Sequence, residues 1–120
     1  MAAYDSNNIF AKILRGEIPC DKLFENEHAL AFSDINPQAP AHALVIPKGS
    51  YVDAADFAAG ATAAEVAGLF AAVGATVAKL GLAEGGWRLI ANCGSNAHQE
   101  VPHLHFHIVG GRDLGAMLPK

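Results

Sequence analysis

Val101-Pro102-His103-Leu104-His105-Phe106-His107-Ile108-Val109-Gly110-Gly111 is the stretch on which the reading of this chain turns. Three of the six histidines fall here at alternate positions. Alternate residues of a strand share a face, so the period of two predicts a strand over His103 to Val109. Its three imidazoles would lie on one side and Leu104, Phe106 and Ile108 in the core on the other. Surface histidines without a role carry little weight, since chance rarely produces this alternation against an apolar counterface. Three imidazoles can hold zinc, with His42 as a fourth ligand, although no carboxylate or thiolate partner is evident to complete or orient such a site. Nucleophilic catalysis by one histidine, with the others donating to an anion, is the third reading. The triplet alone leaves these open.

Further strands lie upstream. Lys22 to Glu25 and His28 to Phe32 are short and β-prone, with Asn26-Glu27 as a hairpin turn. Asp34-Ile-Asn-Pro-Gln-Ala-Pro is a loop, because its two prolines forbid helix and ladder alike. His42 to Pro47 is an apolar strand closed by proline, and Trp87 to Asn92 is another. Ile9, Phe10, Ile13 and Leu14 form one stripe of a short helix, capped by Ser6 or Asn7 and ended near Gly16. Residues 54 to 78 hold 12 alanines, and Val66, Leu69, Phe70, Val73, Val77 and Leu80 recur at helical spacing. These features predict one long helix ended by Gly81 and Gly85-Gly86. Only Glu65 and Lys79 are charged between Ala61 and Leu80, so a second copy of the chain is expected to cover the other face. An alanine-rich helix facing solvent is the bland alternative. Several strands within hairpin reach and two helices predict an α+β antiparallel architecture.

The chain has 120 residues, which suits one domain spanning 1–120. At 52% hydrophobic and 17% charged, with mean hydropathy +0.22, it is neither a disordered tail nor a membrane protein. A net charge of −4 and a pI near 5.8 offer no field for long nucleic acid, so any bound phosphate is expected to be small. The N-terminus lacks the basic start and apolar core of a signal peptide, and no run is long enough to span a membrane, so a cytoplasmic location is expected. Cys20 and Cys93 have no C-x-x-C spacing and read as indifferent thiols. The chain contains no G-x-x-x-x-G-K-[ST], G-x-G-x-x-G or H-E-x-x-H motif.

His103-Leu-His-Phe-His-Ile-Val resembles the signature of the histidine triad family of small nucleotide hydrolases and transferases, His-x-His-x-His before two apolar residues. Asn8-Ile-Phe-Ala-Lys-Ile-Leu-Arg-Gly-Glu-Ile-Pro, the block from Ala31 to Lys48, and Asn92 through Gly111 are similar to its nucleotide-binding branch. Three blocks in the right order are more specific than the triplet. The resemblance implies a five-stranded antiparallel sheet with two helices, a homodimer joining two such sheets, and a purine nucleoside monophosphate site at the triad.

It further implies that His105 attacks the α-phosphorus of a nucleoside phosphoramidate, giving a nucleotidyl-histidine that water hydrolyses. Exchanging one P–N bond for another is near thermoneutral if the leaving amine is protonated. Attack needs a neutral ring whose other nitrogen holds its proton on an acceptor such as a backbone carbonyl. By the same resemblance His107 donates to phosphate, His42 joins the network from a neighbouring strand, and His103 has a positioning role. Asn92, Gln99, Glu100 and Val101 match phosphate contacts, although Asn92 also suits a plain strand end. Asp34 matches the carboxylate that accepts both ribose hydroxyls. Ile9, Phe10, Ile13, Phe32 and Ile35 match the walls around the base, and all five would equally suit a core. No cofactor or metal is implied.

The chain departs from that pattern at Glu100, where several relatives carry a small hydroxyl residue, which leaves the leaving-group preference open. His98 stands where many have glycine, and Pro102 replaces an aromatic. The tail reaches Lys120 without a tryptophan, leaving Met117 and Leu118 as substitutes. Dinucleoside polyphosphate hydrolysis, a nucleotide-binding partner protein with vestigial hydrolysis, and a zinc-binding module are the alternatives.

Overall fold

The computed structural model describes residues 3–118, so Met1, Ala2, Pro119 and Lys120, and with them the ends of the expected 1–120 domain, lie outside the described residues. Among the described residues five strands form one antiparallel sheet: β1 (Lys22–Glu25), β2 (Ala29–Ser33), β3 (Ala41–Pro47), β4 (Trp87–Ile90) and β5 (Phe106–Gly110), in the order β1-β2-β3-β5-β4. Asn26 makes the β1–β2 turn as expected, its side-chain oxygen accepting from the backbone N–H groups of His28 and Ala29 at 2.8 and 2.9 Å.

Alternation along β2 and β3 divides the interior in two. Ala29, Ala31, Ala43 and Val45 face one side, with Leu69, Ala72, Val73, Val77 and Ile108. Leu30, Phe32, Leu44 and Ile46 face the other, with Phe10. The first layer is covered by α3 (Ala63–Lys79), which packs on β1, β2 and β3. Gly68 permits the close approach, since a Cβ there would lie 2.8 Å from that of His28. The Gly68 carbonyl accepts from the Asn26 side-chain amide at 2.9 Å. The second layer is covered by α1 (Ile9–Leu14), and the site lies on that side.

Four expectations need correction. The long helix is two, α2 (Ala54–Gly60) and α3, so the described residues hold three helices. A capping box that the alanine run obscures restarts the helix: Thr62 Oγ1 accepts from the Glu65 N–H at 3.1 Å, and Glu65 Oε1 from the Thr62 N–H at 3.0 Å. The core stripe of α3 is Leu69, Ala72, Val73, Thr76 and Val77, whereas Val66 and Phe70 are 39% and 50% exposed. The cap of α1 is Asn8, not Ser6 or Asn7, its side-chain oxygen accepting from the Ala11 N–H at 2.9 Å. Finally, β5 begins at Phe106, not His103. Val45 is the last β3 residue registered with β5; Pro47 has no N–H to extend the ladder, and Leu104 N–H donates to the Tyr51 carbonyl instead, at 2.8 Å.

Candidate active site

β3 and β5 pair with Leu44 opposite His107 and His42 opposite Val109, so both histidines stand on the sheet face toward α1. His105 precedes β5 and is buried, its ring centroid 4.9 Å from that of Phe10 in an edge-on contact. These three histidines line a cleft of about 610 Å³. His103 does not line it: its ring is fully buried, on the same side as His105, with both rings edge-on to Phe10, while Leu104, Phe106 and Ile108 go to the layer under α3 as the alternation requires.

Partners define the tautomer of all four rings, since an N–H must face an acceptor and a lone pair a donor. The backbone N–H of Gln38 donates to His42 Nδ1 at 3.0 Å, so His42 carries its proton on Nε2. That N–H faces His107 Nδ1 at 2.9 Å and Asp34 Oδ2 at 3.3 Å. His107 therefore accepts on Nδ1 and holds its own proton on Nε2. His105 Nδ1–H donates to the His103 carbonyl at 2.8 Å, which leaves the lone pair on Nε2. His103 Nε2–H donates to the Pro47 carbonyl at 2.8 Å, and its Nδ1 accepts from the Tyr4 hydroxyl at 2.6 Å.

Burial pushes His103 and His105 below the usual imidazole range. It also lowers His107, helped by the charges of His105 and His42, to about 4. All three are neutral at pH 7, and this has a consequence for stability. Unfolding returns each ring to water and a value near 6.5, so at acid pH the unfolded chain binds more protons. Their contribution is fully present above pH 6.5 and is lost as pH falls through the depressed folded values, that of His107 being about 4. Each ring contributes at most about 1.4 kcal/mol per pH unit. We expect the urea midpoint to drop clearly between pH 7 and pH 5; an unchanged midpoint would contradict the neutral, buried rings.

Asp34, Asn92, Glu100 and Val101 line the cleft. Asp34 Oδ1 also accepts from the Asn36 N–H at 2.9 Å, which sets the carboxylate beside His42. The Gln99 side chain is turned to backbone, accepting from the Gly94 N–H at 3.0 Å and donating to the Val52 and Val101 carbonyls at 2.7 and 3.1 Å. Its side chain does not line the cleft and anchors this loop. Ile9, Phe10, Ile13, Phe32 and Ile35 all line the cleft. Phe10 and Phe32 are also buried core residues, whereas Ile35 is 95% exposed and forms a rim rather than a wall.

Sequence reasoning missed Tyr4 and Gln38 in this network; the latter acts through its backbone N–H, which no side-chain pattern signals. Leu44, Ile18 and Pro19 were missed as further lining residues. His98 also lines the cleft, at φ 58°. This left-handed backbone is the conformation for which glycine is the default.

Asp34, His42 and His107 place ligand atoms within 4.8 Å of one another, the geometry of a possible metal cluster. The donors do not suit a metal as they stand. His42 could ligate through Nε2 only with its proton on Nδ1, against the Gln38 N–H that occupies that position.

The family model described as "HIT domain" matches residues 15–114. An uncharacterised 13.2 kDa HIT-like protein of Azospirillum brasilense is 65% identical over 117 residues, 98% of this chain and 96% of its own. A purine nucleoside phosphoramidase of Escherichia coli is 44% identical over 111 residues, 92% of each chain. Among solved structures, a HIT family hydrolase from Clostridium thermocellum superposes with TM-score 0.85 at 38% identity, covering 94% of this chain and 97% of that one.

Proposed function

The chain belongs to the HIT domain family, and on that footing we propose that it hydrolyses purine nucleoside phosphoramidates through a nucleotidyl-histidine on His105. The observation that carries the reading is the neutral His105 ring, whose Nδ1–H is held on the His103 carbonyl while Nε2 keeps its lone pair. This is the protonation state a histidine nucleophile needs.

The His105 Nε2 lone pair attacks phosphorus as the P–N bond breaks. That electron pair goes to the departing nitrogen, which takes a proton from water and leaves as an amine. Water then attacks the phosphorus, the pair of the P–Nε2 bond returns to His105, and a nucleoside monophosphate is released. His107 Nε2–H donates to a phosphate oxygen, in the orientation that its bond from His42 sets. Backbone N–H groups near Glu100 and Val101, with Asn92, complete the phosphate pocket. Asp34 takes the ribose hydroxyls, and Phe10, Phe32, Ile9, Ile13 and Ile35 flank the base. The reaction as read here needs no metal, in keeping with the His42 tautomer.

We propose a homodimer as well, because Val66, Phe70, Trp87 and Leu89 leave apolar surface exposed on α3 and β4; sedimentation as a monomer at working concentration would count against it. Cys20 and Cys93 are unpaired, as suits the cytoplasmic location we propose. No helix among the described residues is long and apolar enough to cross a membrane.

The test is release of AMP from adenosine 5′-phosphoramidate by chelator-treated protein, beside a diadenosine polyphosphate. We expect metal-independent turnover, faster on the phosphoramidate. Bound AMP with no turnover of either compound would favour a binding protein with vestigial hydrolysis, and turnover restored only by zinc would favour a metal module.

Tyr4 offers a further check. Tyr4→Phe removes the hydroxyl donor to His103 Nδ1, a bond worth about 1 kcal/mol net. We expect turnover to fall several-fold with AMP affinity unchanged, measured by single-turnover kinetics and calorimetry.

A further inference from the structure

The cleft places two carboxylates, Asp34 and Glu100, around a site that must receive a phosphate, and among the described residues no Lys or Arg lines it. Two of its histidines, His105 and His107, do not offset this, because they are held neutral. Asp34 has local partners: the Asn36 N–H on one oxygen and His42 Nε2 3.3 Å from the other. The Glu100 carboxylate, among the described residues, makes neither an ion pair nor a side-chain hydrogen bond. It is exposed, yet close enough to His105 for its charge to favour the protonated ring there. The apolar end of the cleft, with Phe10, Phe32, Ile9 and Ile13, suits the base. Beyond the phosphate pocket, His98 and the Glu100 side chain are left for the departing group.

We propose that Glu100 selects the leaving group, favouring amines that carry a second, positively charged nitrogen over neutral amines, and both over anionic leaving groups. This inference rests on the phosphoramidate reading and deepens it by naming the substrate class. A free carboxylate beside the reacting phosphorus repels an anionic leaving group, and with it a polyphosphate, and attracts an ammonium. Glu100 exchanges no proton in this role. It acts through charge alone, so its effect must weaken with salt and depend on the sign of the side chain.

The experiment uses three adenosine 5′-phosphoramidates of similar size, with 2-aminoethylamine, propylamine and β-alanine as leaving amines. Each is assayed with chelator present, at low and high ionic strength. Relative kcat/KM is compared within each protein, so a loss of folded protein cancels from the ratios. For the unmodified chain we expect the order cationic, neutral, anionic, with steps on the order of tenfold at low salt. Glu100→Gln should bring the three close together, and Glu100→Lys should reverse the order. Added salt should narrow the spread in the unmodified chain. Turnover of all three with the same ratios in Glu100→Gln overturns this inference and leaves the proposed function standing. Absence of turnover on all three, with AMP still bound, overturns both.

Discussion

His105→Ala is expected to abolish phosphoramidate turnover, lowering kcat by about 10⁴-fold or more, as removal of a covalent nucleophile does in other enzymes. The size of the effect follows from the local geometry. The His103 carbonyl holds the Nδ1 proton of His105 at 2.8 Å, and burial keeps the ring neutral. Its two neighbours in the triplet cannot take its place: His103 is committed on both nitrogens to Tyr4 and Pro47, and His107 Nδ1 is turned to His42. AMP should bind the variant with near-normal affinity, because the apolar walls and Asp34 are untouched. Calorimetry on AMP beside a turnover assay separates the two effects. His107→Ala should cost less, about 10²-fold, as loss of one donor to a developing oxyanion does. The acid limb of the unmodified chain's kcat/KM should lie below the usual imidazole range, since the titrating ring is depressed by burial. Full turnover by His105→Ala would remove the nucleotidyl-histidine mechanism at once.

The residues legible in the sequence are those whose side chains follow a period. Ala29 to Ser33 and Ala41 to Pro47 alternate between two buried layers, and the strands expected there form within a residue or two. His42 and His107 share a face as the alternation requires. His103 was misjudged for a physical reason: its pattern is that of a strand, but Pro47 ends the partner ladder, and the His103 ring bonds the Pro47 carbonyl in its stead. The anchoring role of the Gln99 side chain is not legible in the sequence, because an amide in a loop has several backbone groups in reach, and here three of them take it. The break between α2 and α3 was hidden by alanine, whose high propensity masks a cap worth about 1 kcal/mol. Tyr4 and Gln38 reach the histidines from distant or non-periodic positions, and only folding brings them there.

Ile108→Ala should produce the largest loss of stability among the positions that support the site. Ile108 lies between His107 and Val109 in β5, is 0% exposed, and points into the layer beneath α3. Its registered neighbours are Ala43 on β3 and Leu89 on β4. Alanine at 43 is too small to collapse into the space left behind, and Leu69 and Val45 are already fully buried. A cost toward the upper end of about 2–5 kcal/mol follows, a large share of the roughly 5–15 kcal/mol that holds a domain folded. In a chain of this size that lowers Tm by on the order of 10 °C or more. Ile108→Val, which removes one methylene, should cost only about 1 kcal/mol. Thermal and urea melts of both variants give the comparison, and a Tm for Ile108→Ala within a degree or two of the parent would refute the packing. Well below its melting temperature the variant should retain most of its turnover, because the hydrogen bonds that orient His105 and His107 come from His103 and His42 and not from Ile108. Separate loss of stability and of chemistry is what a sheet with Ile108 in the layer under α3 and its histidines on the opposite face must give.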